Sequence, residues 1–316
     1  MLDSQQPKID ISQLPANAID LCGQLVALSQ DYANRCLIIL DPFLSIINNP
    51  IIDYFDKLGR IQQIPIMHAA ILAAKRPLLL ELNLAIQYEI DVLSYIVSKA
   101  LMQSTPSYQR SGNGQHYSAW LFTKLSTSKI ASGLAKLAIQ KGTNDKTYFL
   151  RFYDPTVLSQ LRFLLTQPQQ QRLFGQIDHW VILNHDSTFN IHSPKIPSMP
   201  VLSGQLALTN QQLQQLRYIG INNQIIHSQK IIHPTQTIDE LKSLQKIMPC
   251  LQRLMDKKID DESLMIEWAK LALKLGDNFD MHPKIQSTIQ KLSNSQQYYT
   301  LIDKLQILTN KDWQAL

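Results

Sequence analysis

The chain has 316 residues, of which 45% are hydrophobic and 17% charged, and its formal net charge is +5. This composition excludes a disordered chain, which would hold fewer apolar and more charged residues, and the length allows more than one domain. The excess of Lys and Arg is mild and scattered, whereas nucleic-acid-binding surfaces concentrate these residues on one face. We therefore expect no nucleic-acid partner.

Strand-like and helix-like segments alternate along the first 200 residues. Such alternation predicts an α/β (α+β) domain over residues 1–200, with a mixed sheet flanked by helices and with the strand order left open. The predicted elements are a helix at 14–32, a strand at 37–40, a helix at 43–58 ended by Gly59, a strand at 78–83, a helix at 85–102, a polar loop at 104–115, a strand at 117–123, a helix at 126–138 capped by Ser126, a strand at 147–152, a helix from Pro155, and strands at 180–183 and 188–192.

A proline-rich connector, 193–200, separates this region from a predicted all-α lobe at 201–316. The pattern predicts a helix at 210–232 interrupted at Gly220, and a later helix that Pro249 kinks or ends. Apolar side chains recur there at intervals of three or four, which places them on one face of each helix. Packing within a bundle is the first interpretation of these stripes, and a groove for a partner segment is the second.

The junction after the strand at 147–152 is the most informative local feature. Asp154 stands where a helix N-cap belongs, and Pro155 follows at the first helical position, where its missing N–H costs nothing. We expect Arg151 to bond Asp154 or another carboxylate across the fold and so position the turn. The alternative is a guanidinium that is exposed for a partner.

The five residues of this junction also carry a resemblance. Together with the later Gly175 and Trp180, the helix at 126–138 and the Leu40-Asp41 pair, they resemble the signature of the effector adaptor (chaperone) family of type VI secretion systems, domain of unknown function 4123. Thr156 departs from the family pattern, since a second arginine is common there, and so does Pro42, where a small residue is usual. The signature residues are Arg151, Phe152, Tyr153, Asp154 and Pro155.

The resemblance covers about two-thirds of the chain and implies a cytoplasmic, non-enzymatic adaptor. Such a protein binds one toxin effector, keeps it soluble, and promotes its loading onto the spike made of valine-glycine-repeat protein (VgrG). Under this hypothesis the signature residues have a structural or partner-binding role.

The chain lacks the motifs that usually carry catalysis: it contains no GxSxG, GxGxxG, P-loop or HExxH sequence. Two Ser-x-x-Lys pairs, at Ser126 and Ser243, stand without the companion motifs of a serine–lysine nucleophile, and Ser126 is better placed as a helix cap. We predict no catalytic, cofactor-binding or metal-binding residues. The alternative is a hydrolase or transferase with a site near His179, His185 and His192.

Three distant cysteines, Cys22, Cys36 and Cys250, predict buried, reduced thiols and hence a cytoplasmic protein. The N-terminal residues lack the basic start and apolar run of a secretory signal, and the apolar windows are too short to cross a bilayer. We therefore expect no membrane insertion.

Overall fold

The computed structural model describes residues 6–11, 14–42, 49–109, 114–142, 146–175, 177–184, 188–193, 204–233, 236, 238–292 and 294–307. The chain splits into two compact units. The first contains Met1–Leu158 and Leu165–Asn210, and the second contains Ser159–Leu164 and Gln211–Leu316. The domain boundary predicted at residue 200 lies outside the described ranges, so it stays a prediction.

The first unit contains eight strands and six α-helices among its described residues, and a further α-helix, Pro155–Leu164, begins in the first unit and continues into the second. The strands are β1 (Arg35–Leu40), β2 (Ile61–Gln63), β3 (Leu78–Asn83), β4 (Tyr117–Phe122), β5 (Ile139–Lys141), β6 (Thr147–Phe149), β7 (His179–Leu183) and β8 (Phe189–His192). The helices are α1 (Ala16–Ser29), α2 (Pro50–Lys57), α3 (Gln87–Gln103), α4 (Pro106–Gln109), α5 (Thr127–Ala138), α6 (Pro155–Leu164) and α7 (Gln167–Phe174).

Six strands form one sheet in the order β2-β3-β1-β4-β7-β8, and every described pairing is antiparallel. The predicted α+β class is confirmed, but the sheet is antiparallel where the sequence suggested a mixed one. Alternation of strands and helices indicates layers. The relative direction of neighbouring strands depends on which strands pair and on whether each connection carries the chain back to the opposite end of the sheet, and a single sequence specifies neither.

Helices cover both faces of the sheet. On one face, alternate strand residues such as Ile38 and Trp120 pack in a core with side chains of α1, α2 and α3. On the other face, Trp180 contacts Phe152 and Phe174, and α5 packs against β2 and β3. Five consecutive residues of β1, from Cys36 to Leu40, are buried, as a strand covered on both faces requires.

The predicted strand at 147–152 is only partly correct. It ends at Phe149, and it pairs with β5 in a separate two-stranded hairpin instead of joining the main sheet. Residues 150–154 then turn into α6, since the N–H of Asp154 donates to the carbonyl of Arg151 at 3.0 Å. Aromatic composition correctly predicted an extended segment, but it does not specify which strand becomes its neighbour.

Two predicted helix ends are confirmed. Gly59 follows α2 with φ +68°, and the N–H groups of Gly59 and Arg60 donate to the carbonyls of Asp56 and Phe55. This is a Schellman arrangement, which needs a left-handed residue and therefore favours glycine. At the start of α5, the Ser126 hydroxyl accepts the N–H of Lys129. The predicted helix at 43–58 is described only from Pro50, because residues 43–48 lie outside the described ranges.

The second unit is helical throughout its described residues, apart from turns. Its helices are α8 (Asn210–Ile232), α9 (Glu240–Asp256), α10 (Glu262–Leu275), α11 (Pro283–Ile289) and α12 (Ser295–Gln306). The predicted all-α region is therefore confirmed, and its apolar stripes pack inward around Leu244, Trp268 and Tyr298. This burial favours bundle packing over an open groove for these stripes.

The predicted interruption at Gly220 is wrong, and Pro249 does not end its helix. Helix α8 continues through Gly220, and α9 continues through Pro249 to Asp256. Glycine in a helix costs only about 1 kcal/mol relative to alanine. Both helices bury apolar residues on each side of the break, such as Ile219 and Ile221 in α8. We infer that this burial outweighs the local cost at both positions.

Candidate functional site

Arg151 lies in the turn between β6 and α6 and makes two ion pairs. Its Nη2 is 2.6 Å from Oδ2 of Asp41, which follows β1, and 3.5 Å from Oδ2 of Asp154. The Asp41 side chain is completely buried, whereas 26% of the Arg151 side chain is exposed. Arg151 therefore joins two segments that are 110 positions apart in the chain, as the expected structural role requires.

Main-chain and ring contacts hold Asp41 in place. Its N–H donates to the carbonyl of His116 at 2.8 Å, and Nδ1 of His116 lies 2.7 Å from the carbonyl oxygen of Asp41. The N–H of His116 in turn donates to Oε1 of Gln103 at 2.8 Å. The main chain that carries the buried carboxylate is thus held by His116 at the start of β4, and His116 is held in turn by Gln103 at the end of α3.

The carboxylates in this cluster stabilise the charged form of Arg151. Burial by itself lowers the pKa of Arg151, but the nearby carboxylates of Asp154 and Asp41 outweigh burial and raise this pKa above its ordinary value. Burial and the negative charge of Asp41 raise the pKa of Tyr153. Arg151 is therefore a permanent cation, and Tyr153 is a neutral phenol at physiological pH.

Asp154 has the predicted capping role. Its Oδ1 accepts the N–H of Thr156 at 3.0 Å and the Thr156 hydroxyl at 2.8 Å, and its carbonyl accepts the N–H of Leu158 at 2.9 Å. Helix α6 begins at Pro155, as predicted. Thr156 therefore adds a second bond to the cap.

Phe152 belongs to an aromatic cluster beneath the main sheet. Its ring centroid lies 5.9 Å from that of Trp180 on β7 and 5.7 Å from that of Tyr153, and Phe174 contacts Trp180 from α7. Phe152 and Trp180 are completely buried. Gly175 ends α7 with φ −64°, so its backbone conformation is open to any residue.

The signature therefore divides into a polar part and an apolar part. Arg151 and Asp154 form ion pairs and a cap, while Phe152, Tyr153 and Pro155 are buried. Sequence reasoning missed His116 and Gln103, which complete the cluster from other elements. The sequence contained one signal for them, since His116 directly precedes a strongly apolar strand, where an isolated polar residue needs a partner.

The Tyr153 hydroxyl leads to a testable prediction. It is buried and makes no hydrogen bond of normal geometry with the described residues, although the Arg151 guanidinium lies close enough to interact with it. Because a buried hydroxyl without a well-formed hydrogen bond contributes little to stability, we expect Tyr153→Phe to change the free energy of unfolding by less than about 1 kcal/mol in either direction. Urea denaturation measures this difference. Tyr117→Phe is the control: its hydroxyl accepts the Asn49 side-chain amide at 3.3 Å, so the substitution is expected to destabilise the protein. A marked loss of stability in Tyr153→Phe would contradict the prediction.

His116 leads to a prediction about pH. Burial lowers the pKa of His116 below its ordinary value of 6.5, against the opposing hydrogen bond to the carbonyl of Asp41. At His116 the unfolded chain thus binds a proton more readily than the folded chain. The contribution of the neutral, buried imidazole to the free energy of unfolding is therefore complete above about pH 6.5 and is lost as the pH falls towards the folded-state pKa. We expect the free energy of unfolding to fall less steeply between about pH 6.5 and pH 5 in His116→Gln than in the wild type. Equal slopes would contradict this assignment.

The residues of the alternative enzyme hypothesis do not converge among the described residues. Nδ1 of His179 lies 2.7 Å from Oγ of Ser193, and the ring of His192 packs against Phe174. His185 lies outside the described ranges. No group of three or more His, Cys, Asp or Glu side chains in the described part of the chain is arranged to hold a metal ion.

The serines of the two Ser-x-x-Lys pairs have structural roles. Ser126 caps α5, and the Ser243 hydroxyl donates to Oδ1 of Asn222 at 2.6 Å. That bond belongs to a buried network in the helical unit, in which the Asn222 amide also donates to Oε1 of Gln160 at 2.8 Å. Lys246 is exposed. Neither pair has the geometry of an activated nucleophile.

The three cysteines are buried and unpaired, as predicted. Burial raises the pKa of the Cys22, Cys36 and Cys250 thiols, which keeps them protonated and unreactive. None of the helices described in the structure is both long enough and apolar enough to traverse a bilayer.

Comparison with known protein families gives a match to part of the chain. Residues 68–172 match the family model described as a domain of unknown function (DUF4123). The matched segment runs from the loop after β2 to α7, so it contains β3, β4, the β5–β6 hairpin and all five signature residues. Comparisons with curated proteins and with solved structures found no match.

Proposed function

We propose that this protein is a cytoplasmic adaptor that binds a toxin effector of a type VI secretion system and promotes its loading onto the VgrG spike. In this proposal the protein is not an enzyme. The observation that carries the proposal is the family-model match over residues 68–172, which includes the complete block from Arg151 to Pro155.

The contacts of the signature residues agree with such a role. In the described part of the chain, Arg151 forms ion pairs with Asp41 and Asp154, and Asp154 caps the start of α6. The aromatic ring of Phe152 is buried against Trp180. These interactions hold the turn after β6 within a packed scaffold. In an adaptor, surfaces elsewhere on that scaffold would cover an apolar segment of the effector, and polar residues at the rim would distinguish one cargo from another.

Co-expression with a candidate type VI effector tests the proposal. We expect the effector to be more soluble with the adaptor than without it, and the two purified proteins to elute as one complex on size-exclusion chromatography. Adding VgrG is then expected to give a larger assembly only when the adaptor is present. An effector panel that neither binds the adaptor nor gains solubility would contradict the proposal.

A variant with alanine at His179, His185 and His192 tests the competing enzyme hypothesis. An adaptor that does not use these side chains for chemistry should keep its affinity for the effector. Turnover of a hydrolase or transferase substrate that these three substitutions abolish would instead support an enzyme.

A further inference from the structure

A shallow groove of about 320 Å³ lies on the surface of the α+β unit, outside the signature cluster. The loop after β2 forms one wall with Pro65 and Met67, and the end of α5 and the start of β5 form the other with Lys136 and Ile139. Met67 is 72% exposed although it is apolar. Gly204 and Gln205 complete the lining, and within the described part of the chain the groove presents an exposed apolar floor beside a cation.

Contacts with the β5–β6 hairpin hold the loop that forms the groove. The ring of His68 stacks on Phe149 with 6.2 Å between centroids, and its Nε2 lies 3.2 Å from the carbonyl oxygen of Thr147. Ile66 and Ile71, on either side of this contact, are buried. Met67 is consequently presented by an anchored loop, and its flexible side chain can adapt to the shape of a ligand.

The groove and its surroundings are electropositive. Lys141 lies two residues after Ile139 on β5, so its side chain leaves the strand on the same face as that of Ile139. Lys136 and Lys141 are both exposed, and no carboxylate of the described residues lies within ion-pairing distance of either one. The sequence from 124 to 149 contains five lysines and a single acid, and the loop at 64–76 contains no acid.

We infer that this groove binds an acidic segment of the effector, which inserts an apolar side chain against Met67 and Ile139 and places carboxylates beside Lys136 and Lys141. This inference rests on the proposed adaptor function and adds the class of peptide that the adaptor recognises. Charge complementarity selects the ligand, because two exposed cations attract acidic sequences and repel basic ones. Burial of the apolar side chain supplies affinity that charge alone would lose at high salt.

Reversal of both charges tests the inference. We expect the full-length variant Lys136→Glu/Lys141→Glu to bind a purified type VI effector at least tenfold more weakly than the wild type does, as measured by isothermal titration calorimetry. Met67→Ala should weaken binding several-fold, and wild-type affinity should fall between about 0.05 and 0.3 M salt. The control is Lys129→Glu, which reverses one exposed charge in the first turn of the same helix, where an acid is favoured, and should bind normally.

The outcomes separate this inference from the proposed function. Wild-type affinity in the double variant, with a thermal unfolding midpoint equal to that of the wild type, would refute the groove and leave the adaptor function standing. Failure of the wild type to bind any effector would refute both. If the double variant bound the effector as the wild type does but lost the wild type's binding to anionic vesicles or to DNA, the groove would be assigned to a different anion and the inference would be overturned. If changing acids of the effector segment to lysine restored its binding to the Lys136→Glu/Lys141→Glu variant, the result would support the inference directly.

Discussion

Arg151→Ala is expected to lower the free energy of unfolding by about 3 kcal/mol. The substitution leaves the Asp41 carboxylate buried without its cation, and the Asp41 side chain has no exposed surface through which water could replace the lost bond. Breaking a buried pair by removing one partner costs about 3–5 kcal/mol, and the partial exposure of Arg151 favours the lower end. Urea denaturation followed by circular dichroism measures the difference.

Two variants serve as controls for this prediction. Arg172→Ala removes a half-buried arginine of α7 whose contact with the carbonyl of Gln205 is long, at 3.4 Å, and it should cost far less. Arg151→Lys keeps the positive charge but loses the planar guanidinium group, so an intermediate loss in the free energy of unfolding is expected. If Arg151→Ala were fully stable and lost only effector binding, the partner-binding interpretation of Arg151 would replace the structural one.

Phe152→Ala is expected to have a similar or larger effect, a loss of about 3–5 kcal/mol. The ring is completely buried between Tyr153 and Trp180, so its removal exchanges aromatic contacts for a cavity under the main sheet. Thermal unfolding of the purified variant, or its accumulation in the insoluble fraction, measures the loss. Because the cavity weakens packing and leaves the charges in place, the effect should vary little with pH.

Tyr148→Ala is the matched control for Phe152→Ala. Tyr148 is an aromatic residue of the neighbouring strand β6, but 44% of it is exposed, so its removal should cost much less. Phe152→Leu should retain most of the stability, since it keeps an apolar group in the cavity. Equal losses in Tyr148→Ala and Phe152→Ala would contradict the view that the signature aromatics are needed for packing.

Local rules predicted the local parts of the candidate site. The N-cap at Asp154 and the helix start at Pro155 depend on bonds within one turn, and both are found where the residue types placed them. Such local rules could not predict which carboxylate pairs with Arg151. Asp41 lies 110 positions away. The pairing of β1 with β4 places it beside His116, and the packing of the turn after β6 brings Arg151 to it.

Errors in the predicted elements have the same origin. Gly220 and Pro249 weaken a helix locally, yet apolar side chains on both sides of each residue are buried in the helical unit. The strand at 147–152 was shortened because its neighbour is β5 of a small hairpin and not a strand of the main sheet. In each case a tertiary contact decided between two conformations that differ little in local free energy.

By itself, the amino-acid sequence determined where most helices and strands lie, that an α+β region precedes a helical one, and that Asp154 starts α6. These properties depend on periodicity, capping and backbone conformation, which act over a few residues. The tertiary structure alone decided the antiparallel strand order, the burial of Asp41 against Arg151, and the meeting of Met67 with Lys136 and Ile139 in one groove. Such contacts join residues that are far apart in the chain, and their free energy exists only when the segments are already packed together.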